Sequence, residues 1–160
     1  MAVKAAERAL VKGGYTATDI DGIVVATSTP DSTMPSVATK VQAALGSPTM
    51  QIVDARAPDR FRGENETLDP VGGHIPGAIN RFFRDNLEAD GRFKAPAQLR
   101  AEWLARLAGI APERVVHQCG SGVSACHNQL AMAVAGLGGS GLYAGSWSEW
   151  CADASRPVAR

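Results

Sequence analysis

Arg114-Val115-Val116-His117-Gln118-Cys119-Gly120-Ser121-Gly122-Val123-Ser124 is the stretch that decides how this chain folds. Its first half is a β-branched run suited to a buried strand, and Ala125 to Leu137 beyond it reads as helix. The intervening residues therefore form a strand-to-helix turn. A cysteine there faces several outward-pointing backbone N–H groups and the positive end of the helix dipole. Both favour a thiolate and bring a free-cysteine pKa of about 8.5 down to roughly 3.5–7.5. Gly120 and Gly122 let the backbone curl around the sulfur without Cβ clashes. The expected geometry is a reactive sulfur in an anion-binding cradle.

Outward from this turn, the pattern alternates strand and helix. Gln51-Ile52-Val53-Asp54-Ala55-Arg56 reads as a strand ending in polar residues. Gly73 to Asn80 is a turn followed by a short extended piece, and Glu64 to Gly73 is the longest polar loop. Pro96 to Leu107 predicts an amphipathic helix with Leu99, Trp103 and Leu107 on its inner face. Leu142-Tyr143-Ala144 is a further strand, and Ser146 to Ala152 a terminal turn of helix. Such alternation predicts an α/β domain with a mainly parallel sheet covered by helices on both faces.

The front of the chain reads differently. Met1 to Gly13 is an amphipathic helix with Lys4, Glu7, Arg8 and Lys12 on its wet face, without the apolar core of a secretory signal. Ile23 to Ala26 reads as a short strand, and Ser36 caps a helix reaching about Leu45. One strand and two helices cannot bury a core alone. The boundary is placed between residues 1–45 and 46–160. Sixteen basic and sixteen acidic side chains cancel, so no net charge recruits nucleic acid or an anionic membrane surface. No apolar run reaches transmembrane length. Three cysteines are too few and too odd for a disulfide framework, which points to a reducing, cytoplasmic setting.

Several separated motifs, in order, carry a family resemblance. Val53-Asp54-Ala55-Arg56, Arg60-Phe61-Arg62-Gly63-Glu64 and Gly73-His74-Ile75-Pro76-Gly77-Ala78-Ile79-Asn80 come first. Cys119-Gly120-Ser121-Gly122-Val123, Ala125-Cys126, Tyr143 and Gly145-Ser146-Trp147-Ser148-Glu149-Trp150 complete the set. From about residue 40 onward the chain resembles the C-terminal catalytic rhodanese domain of 3-mercaptopyruvate sulfurtransferases. Ala5 to Leu10, Asp19 to Asp31, Met34-Pro35-Ser36 and Val41-Gln42 resemble instead an inner stretch of 3-oxoacyl-acyl-carrier-protein synthase III. That resemblance stops near Leu45, before the synthase's catalytic residues, so no acyl condensation is carried over.

The sulfurtransferase resemblance implies sulfur transfer from 3-mercaptopyruvate to a thiol or cyanide, with release of pyruvate, through a persulfide on Cys119 and without a cofactor. It implies a small-molecule donor and a thiol acceptor such as a thioredoxin-like protein. Gly120, Gly122, Val123 and Ser124 would line the substrate. Arg60, whose planar fork matches a carboxylate, would bind the donor, and Ser121 would hydrogen-bond it or relay a proton. Thiosulfate-preferring relatives typically carry basic residues at the two positions after the cysteine; here these are Gly120 and Ser121. Three departures stand out. Asp69 occupies a position where relatives often carry a second substrate-binding arginine. The relay partners of the loop serine, which come from a preceding domain, have no counterpart. Ser124 replaces the usual threonine.

Blander readings stand beside these. Cys119 could be a small core residue, Arg60 a solvated charge, and the domain a non-catalytic sulfur carrier or regulatory module. Thiosulfate could be the donor. Cys126 is expected to pack inward and Cys151 to be incidental. His74 is expected to order its own turn, and Arg56 to brace the loop through a buried acid. His117, Cys119, Cys126 and His127 lack the paired spacings of a zinc site, so no metal is expected. A cysteine phosphatase would want an arginine between Cys119 and Asn128, and there is none.

Overall fold

The computed structural model describes residues 2–19 and 50–160. The chain divides into two units, Met1–Thr49 and Met50–Arg160. In the first, α1 spans Ala2–Gly13, and Gly14 follows with a left-handed φ of 71°. Only Gly reaches that conformation at little cost, so the helix stops where the Gly13-Gly14 pair predicts. The strand expected at residues 23–26 and the helix at 36–45 lie outside the described residues.

The second unit is built on four short parallel strands. β1 (Gln51–Asp54) pairs with β2 (Ile79–Asn80) on one side and β3 (Val115–Gln118) on the other. β3 then pairs with β4 (Gly141–Leu142), giving the order β2-β1-β3-β4. The register sets Val53 beside His117 and Asp54 beside Gln118, so the C-terminal ends of β1 and β3 lie level. In an open parallel sheet this is the edge where ligands bind.

Alternation along the strands sends side chains to two cores. One face packs Val53 and Val115 with Leu99, Trp103 and Leu107 of α3 (Pro96–Leu107) and Met132 of α4 (Val123–Val134). The other packs Ile52 with Ile75, Trp147 and Cys151, the last two from α5 (Ser146–Ala152). The spacing of Leu99, Trp103 and Leu107 therefore buries all three, as the periodicity predicts. A fourth helix, α2 (Pro58–Phe61), is only one turn long and was not legible as helix. The second long helix starts two residues earlier than its sequence suggests and ends at Val134 rather than Leu137. Gly136 at φ 69° turns the chain, and Leu137 drops into the core from beyond the helix. Among the described residues, no helix is long and apolar enough to cross a membrane.

His117 is fully buried against the edge of Trp103, ring centroids 5.7 Å apart, and neither ring nitrogen has a partner. Burial pushes its pKa from 6.5 down to about 4. The unfolded chain then binds a proton that the folded chain refuses. Stability is complete above pH 6.5 and declines as pH falls toward about 4. We expect this one group to account for about 3 kcal/mol of the decline. Urea midpoints measured across that window will fall less in His117→Leu than in the wild-type chain.

Candidate active site

Cys119 follows β3 directly, and the backbone wraps around its sulfur. The Gly122 N–H donates to Cys119 Sγ at 3.1 Å. Gly122 has φ 88°, and a Cβ there would stand 2.8 Å from the Ala144 carbonyl oxygen, so only glycine closes this loop. Burial pushes the Cys119 thiol up. The Ser124 hydroxyl and the amides of Ala125, Ser121 and Gly122 push it down and prevail, holding it below the ordinary cysteine value. The sulfur is nearly inaccessible, at 2% exposure for the residue, and packs on Ala55, Ala125 and Phe83.

The loop is fastened from behind by the start of α5. The Trp147 N–H donates to the Cys119 carbonyl at 3.0 Å and the Ser148 N–H to the Gly120 carbonyl at 2.9 Å. Ser146 Oγ accepts the Cys119 N–H at 3.1 Å and donates to the Tyr143 carbonyl at 2.9 Å. Ser146 does so fully buried and at φ 52°, a conformation that costs a non-glycine residue energy. With these groups engaged behind the loop, its remaining amides are free to turn toward the sulfur. The sequence placed Ser146 merely at a helix start. Its role was missed because it depends on contacts between positions 27 residues apart.

The cavity in front of Cys119 is about 480 Å³ and is lined by Arg56, Ala57, Arg60, Leu68, Asp69, Phe82, Phe83, Gly120, Ser121, Val123, Ser124 and Ser148. Thus Arg60, Gly120, Ser121, Val123 and Ser124 all gather around the cysteine, with Gly122 inside the loop. Arg60 is not a solvated charge. Its Nη2 pairs with Glu66 Oε1 at 2.7 Å and Asp69 Oδ2 at 3.4 Å. Burial raises the Glu66 carboxyl, but Arg60 and the amides of Leu68 and Asp69 hold it low. His74 steadies the helix that carries Arg60, stacking on Phe61 at 3.8 Å and bonding its carbonyl through Nδ1 at 2.9 Å.

Arg56 braces the loop, as expected. It binds Asp54 Oδ2 at 2.7 Å and the Gly73 carbonyl at 2.7 Å, with its guanidinium over the Trp147 ring. Cys126, expected to pack inward, is instead exposed, its thiol donating to the Gly122 carbonyl at 3.4 Å. Cys119 precedes the helix, so a seven-residue spacing does not carry Cys126 to the same face. Cys151 is buried, and burial, followed by the charge of Asp69, pushes its thiol up. Among the described residues no three His, Cys, Asp or Glu side chains are arranged to hold a metal. A larger cavity, about 650 Å³, opens between Arg81, Asp85, Lys94 and Glu102. Its walls are ion pairs, Arg81–Glu102 at 2.6 Å and Lys94–Glu102 at 2.9 Å, and no cysteine, serine or threonine is among its lining residues.

Because the Cys119 thiol is held low, its rate of alkylation by iodoacetamide should reach half-maximum at a lower pH in the folded chain than in the urea-unfolded chain. Removing the Ser124 hydroxyl in Ser124→Ala should move that midpoint upward. Peptide mapping separates Cys119 from exposed Cys126, and an unmoved midpoint in the variant would refute the role given to Ser124.

Comparison with known proteins gives the family of the chain. The family model described as Rhodanese-like domain matches residues 37–153. The chain is 52% identical over 130 residues to a Pseudomonas aeruginosa protein named "Probable 3-mercaptopyruvate sulfurtransferase", covering 81% of this chain and 46% of that protein. It is 39% identical over 109 residues to the "Thiosulfate sulfurtransferase" of Mus musculus, covering 66% of this chain and 36% of the mouse protein. The crystal structure of the Tum1 protein from Saccharomyces cerevisiae superimposes with a TM-score of 0.60 at 28% identity, over 70% of this chain and 40% of that chain. The chain spans less than half the length of these curated relatives. With a parallel sheet, a cysteine loop at its C-terminal edge and a family match over most of its length, the chain belongs to the rhodanese-like domain family.

Proposed function

We propose that this chain is a sulfurtransferase that moves sulfur from 3-mercaptopyruvate to a thiol or cyanide acceptor through a persulfide on Cys119. The observation that carries the reading is the seat of the sulfur, where Gly122 N–H donates to Sγ and the Ser124 hydroxyl joins the loop amides around it. The thiolate attacks the donor's sulfur. The donor's C–S bond breaks, its electron pair passes to carbon, and the pyruvate enolate formed takes the proton that the transferred sulfur gives up. Cys119 is left as an anionic persulfide in the same ring of N–H groups. An acceptor thiolate then attacks the outer sulfur, and Cys119 departs as thiolate. Arg60 offers the donor's carboxylate a guanidinium, and Ser121, exposed at the cavity mouth, offers a hydroxyl. Gly120 and Ser121 put no cation beside the sulfur, which favours an organic donor over thiosulfate. A thioredoxin-like acceptor is supported by exposed Leu68 and Val123, two apolar side chains at the edge of the cavity. All three cysteines are free, in keeping with a reducing, cytoplasmic setting.

Thiosulfate as donor is the second reading, favoured by the name of the mouse relative. A module that only carries sulfur is a third. Incubation with 3-mercaptopyruvate should release pyruvate and add one sulfur atom to Cys119 by intact mass. Cys119→Ser should lose turnover by at least about a thousandfold and keep its urea midpoint. Retained turnover in that variant would overturn the assigned nucleophile. Added sulfur only from thiosulfate would favour the second reading, and none from either donor the third.

A further inference from the structure

The buried face of α4 carries one polar residue. Ala125, Ala131 and Met132 pack there as apolar side chains, and Asn128 lies among them fully buried. An amide in such a place costs stability unless it is bonded. Asn128 Nδ2 donates to the Arg81 carbonyl at 2.8 Å, and its Oδ1 accepts Asn86 Nδ2 at 2.7 Å. Asn86, also fully buried, donates again to the Phe83 carbonyl at 3.0 Å and accepts Arg81 Nε at 3.1 Å. The two amides therefore hold a short 3-10 turn, Phe83–Asn86, against α4.

That turn begins with a residue that walls the sulfur. Phe83 packs on Cys119, Ala55 and Ala125 and lines the cavity in front of the cysteine. Its N–H donates to the Ala55 carbonyl at 3.1 Å, beyond the end of β1. At its first turn α4 supplies the Ser124 hydroxyl and the Ala125 amide that hold the thiol low. About one turn further on, the same helix supplies the amide that sets the apolar wall. Burial behind that wall pushes the thiol up, against the donors.

We propose that Asn128 is a positioning residue that, through Asn86, keeps Phe83 closed over the Cys119 sulfur and water away from it. An apolar side chain at this position leaves a buried Asn86 N–H without its acceptor and the turn without a fixed seat on the helix. Phe83 then shifts off the sulfur and water enters, while the donors of the cysteine loop stay where they are. The charged groups that line the cavity, Arg56, Arg60 and Asp69, lie on other segments. Arg84 and His127 touch the Phe83 ring, and burial lowers the His127 pKa, so that this ring is neutral where the thiol titrates. The consequence for sulfur transfer, a persulfide kept dry until its acceptor arrives, rests on the sulfurtransferase reading above. The consequence for the thiol does not, and the thiol is what the experiment reads.

The test follows Cys119 alkylation by iodoacetamide against pH, read by peptide mapping, in the folded wild-type chain and in Asn128→Leu. The half-maximal pH should fall by about 0.5 in the variant and the plateau rate should rise, because water and reagent both reach the sulfur. General loosening acts the other way. It costs the sulfur its donors and moves the midpoint up, the direction expected of Ser124→Ala. Phe83→Ala should lower the midpoint by itself, and Asn128→Leu added to it should lower it little further, since both act through one wall. Asn128→Ser serves in the same scheme if Asn128→Leu does not fold. A midpoint unmoved or raised in the folded Asn128 variant, or a full second fall on top of Phe83→Ala, would overturn the role of Asn128. Neither result bears on the sulfur donor, which pyruvate release decides.

Discussion

Everything at this site depends on keeping a negative sulfur in a nearly closed place. Removing water from a thiolate is costly, and burial alone would leave Cys119 protonated and inert. The structure compensates with N–H and O–H donors already aimed at the sulfur, which need no reorganisation when charge appears. The same donors suit a persulfide, whose charge lies one sulfur further out.

Such a ring of amides must be held open by something other than its own bonds. Here that is the start of α5. Trp147 and Ser148 donate to the two loop carbonyls, and Ser146 takes the Cys119 N–H. Losing the Ser146 hydroxyl would leave a buried N–H unpaired, at a cost of about 1–3 kcal/mol. The left-handed backbone at Ser146 is tolerated because three hydrogen bonds and the burial of Trp147 beneath it fix the turn. The parallel sheet supplies the frame, bringing the ends of β1 and β3 level so that Arg56 and Cys119, just beyond them, line the same cavity.

Much of this was legible in sequence. A β-branched run, a cysteine, two glycines and a helix predicted the turn. Four-residue spacing predicted the buried face of α3, and helix α5 has the bounds that its residues predict. What escaped was of two kinds. The helix carrying Arg60 is four residues long and has no periodicity to read. Ser146, Glu66 and Asp69 act through contacts set by how loops return to the strand ends, and residue spacing does not encode that. The exposure of Cys126 escaped for a related reason, since its spacing from Cys119 was counted through a turn rather than along a helix.

A run of ion pairs joins the end of the sheet to the cavity. Asp54 on β1 pairs with Arg56, Arg56 reaches Glu66, Glu66 holds Arg60, and Arg60 touches Asp69. Charges alternate along this chain, so every interior member has an opposite charge on each side. Removing an interior member strands a buried charge, which is far more costly than the pairing itself is stabilising. Asp54 and Asp69 are the two ends of the chain, but Asp54 is held by the backbone N–H, Nε and Nη2 of Arg56, whereas Asp69 has the one contact with Arg60. Its side chain is therefore the one whose charge can change with the least damage to the frame. Asp54, Arg56 and Glu66 are bound to the fold by several contacts each, and Asp69 by one.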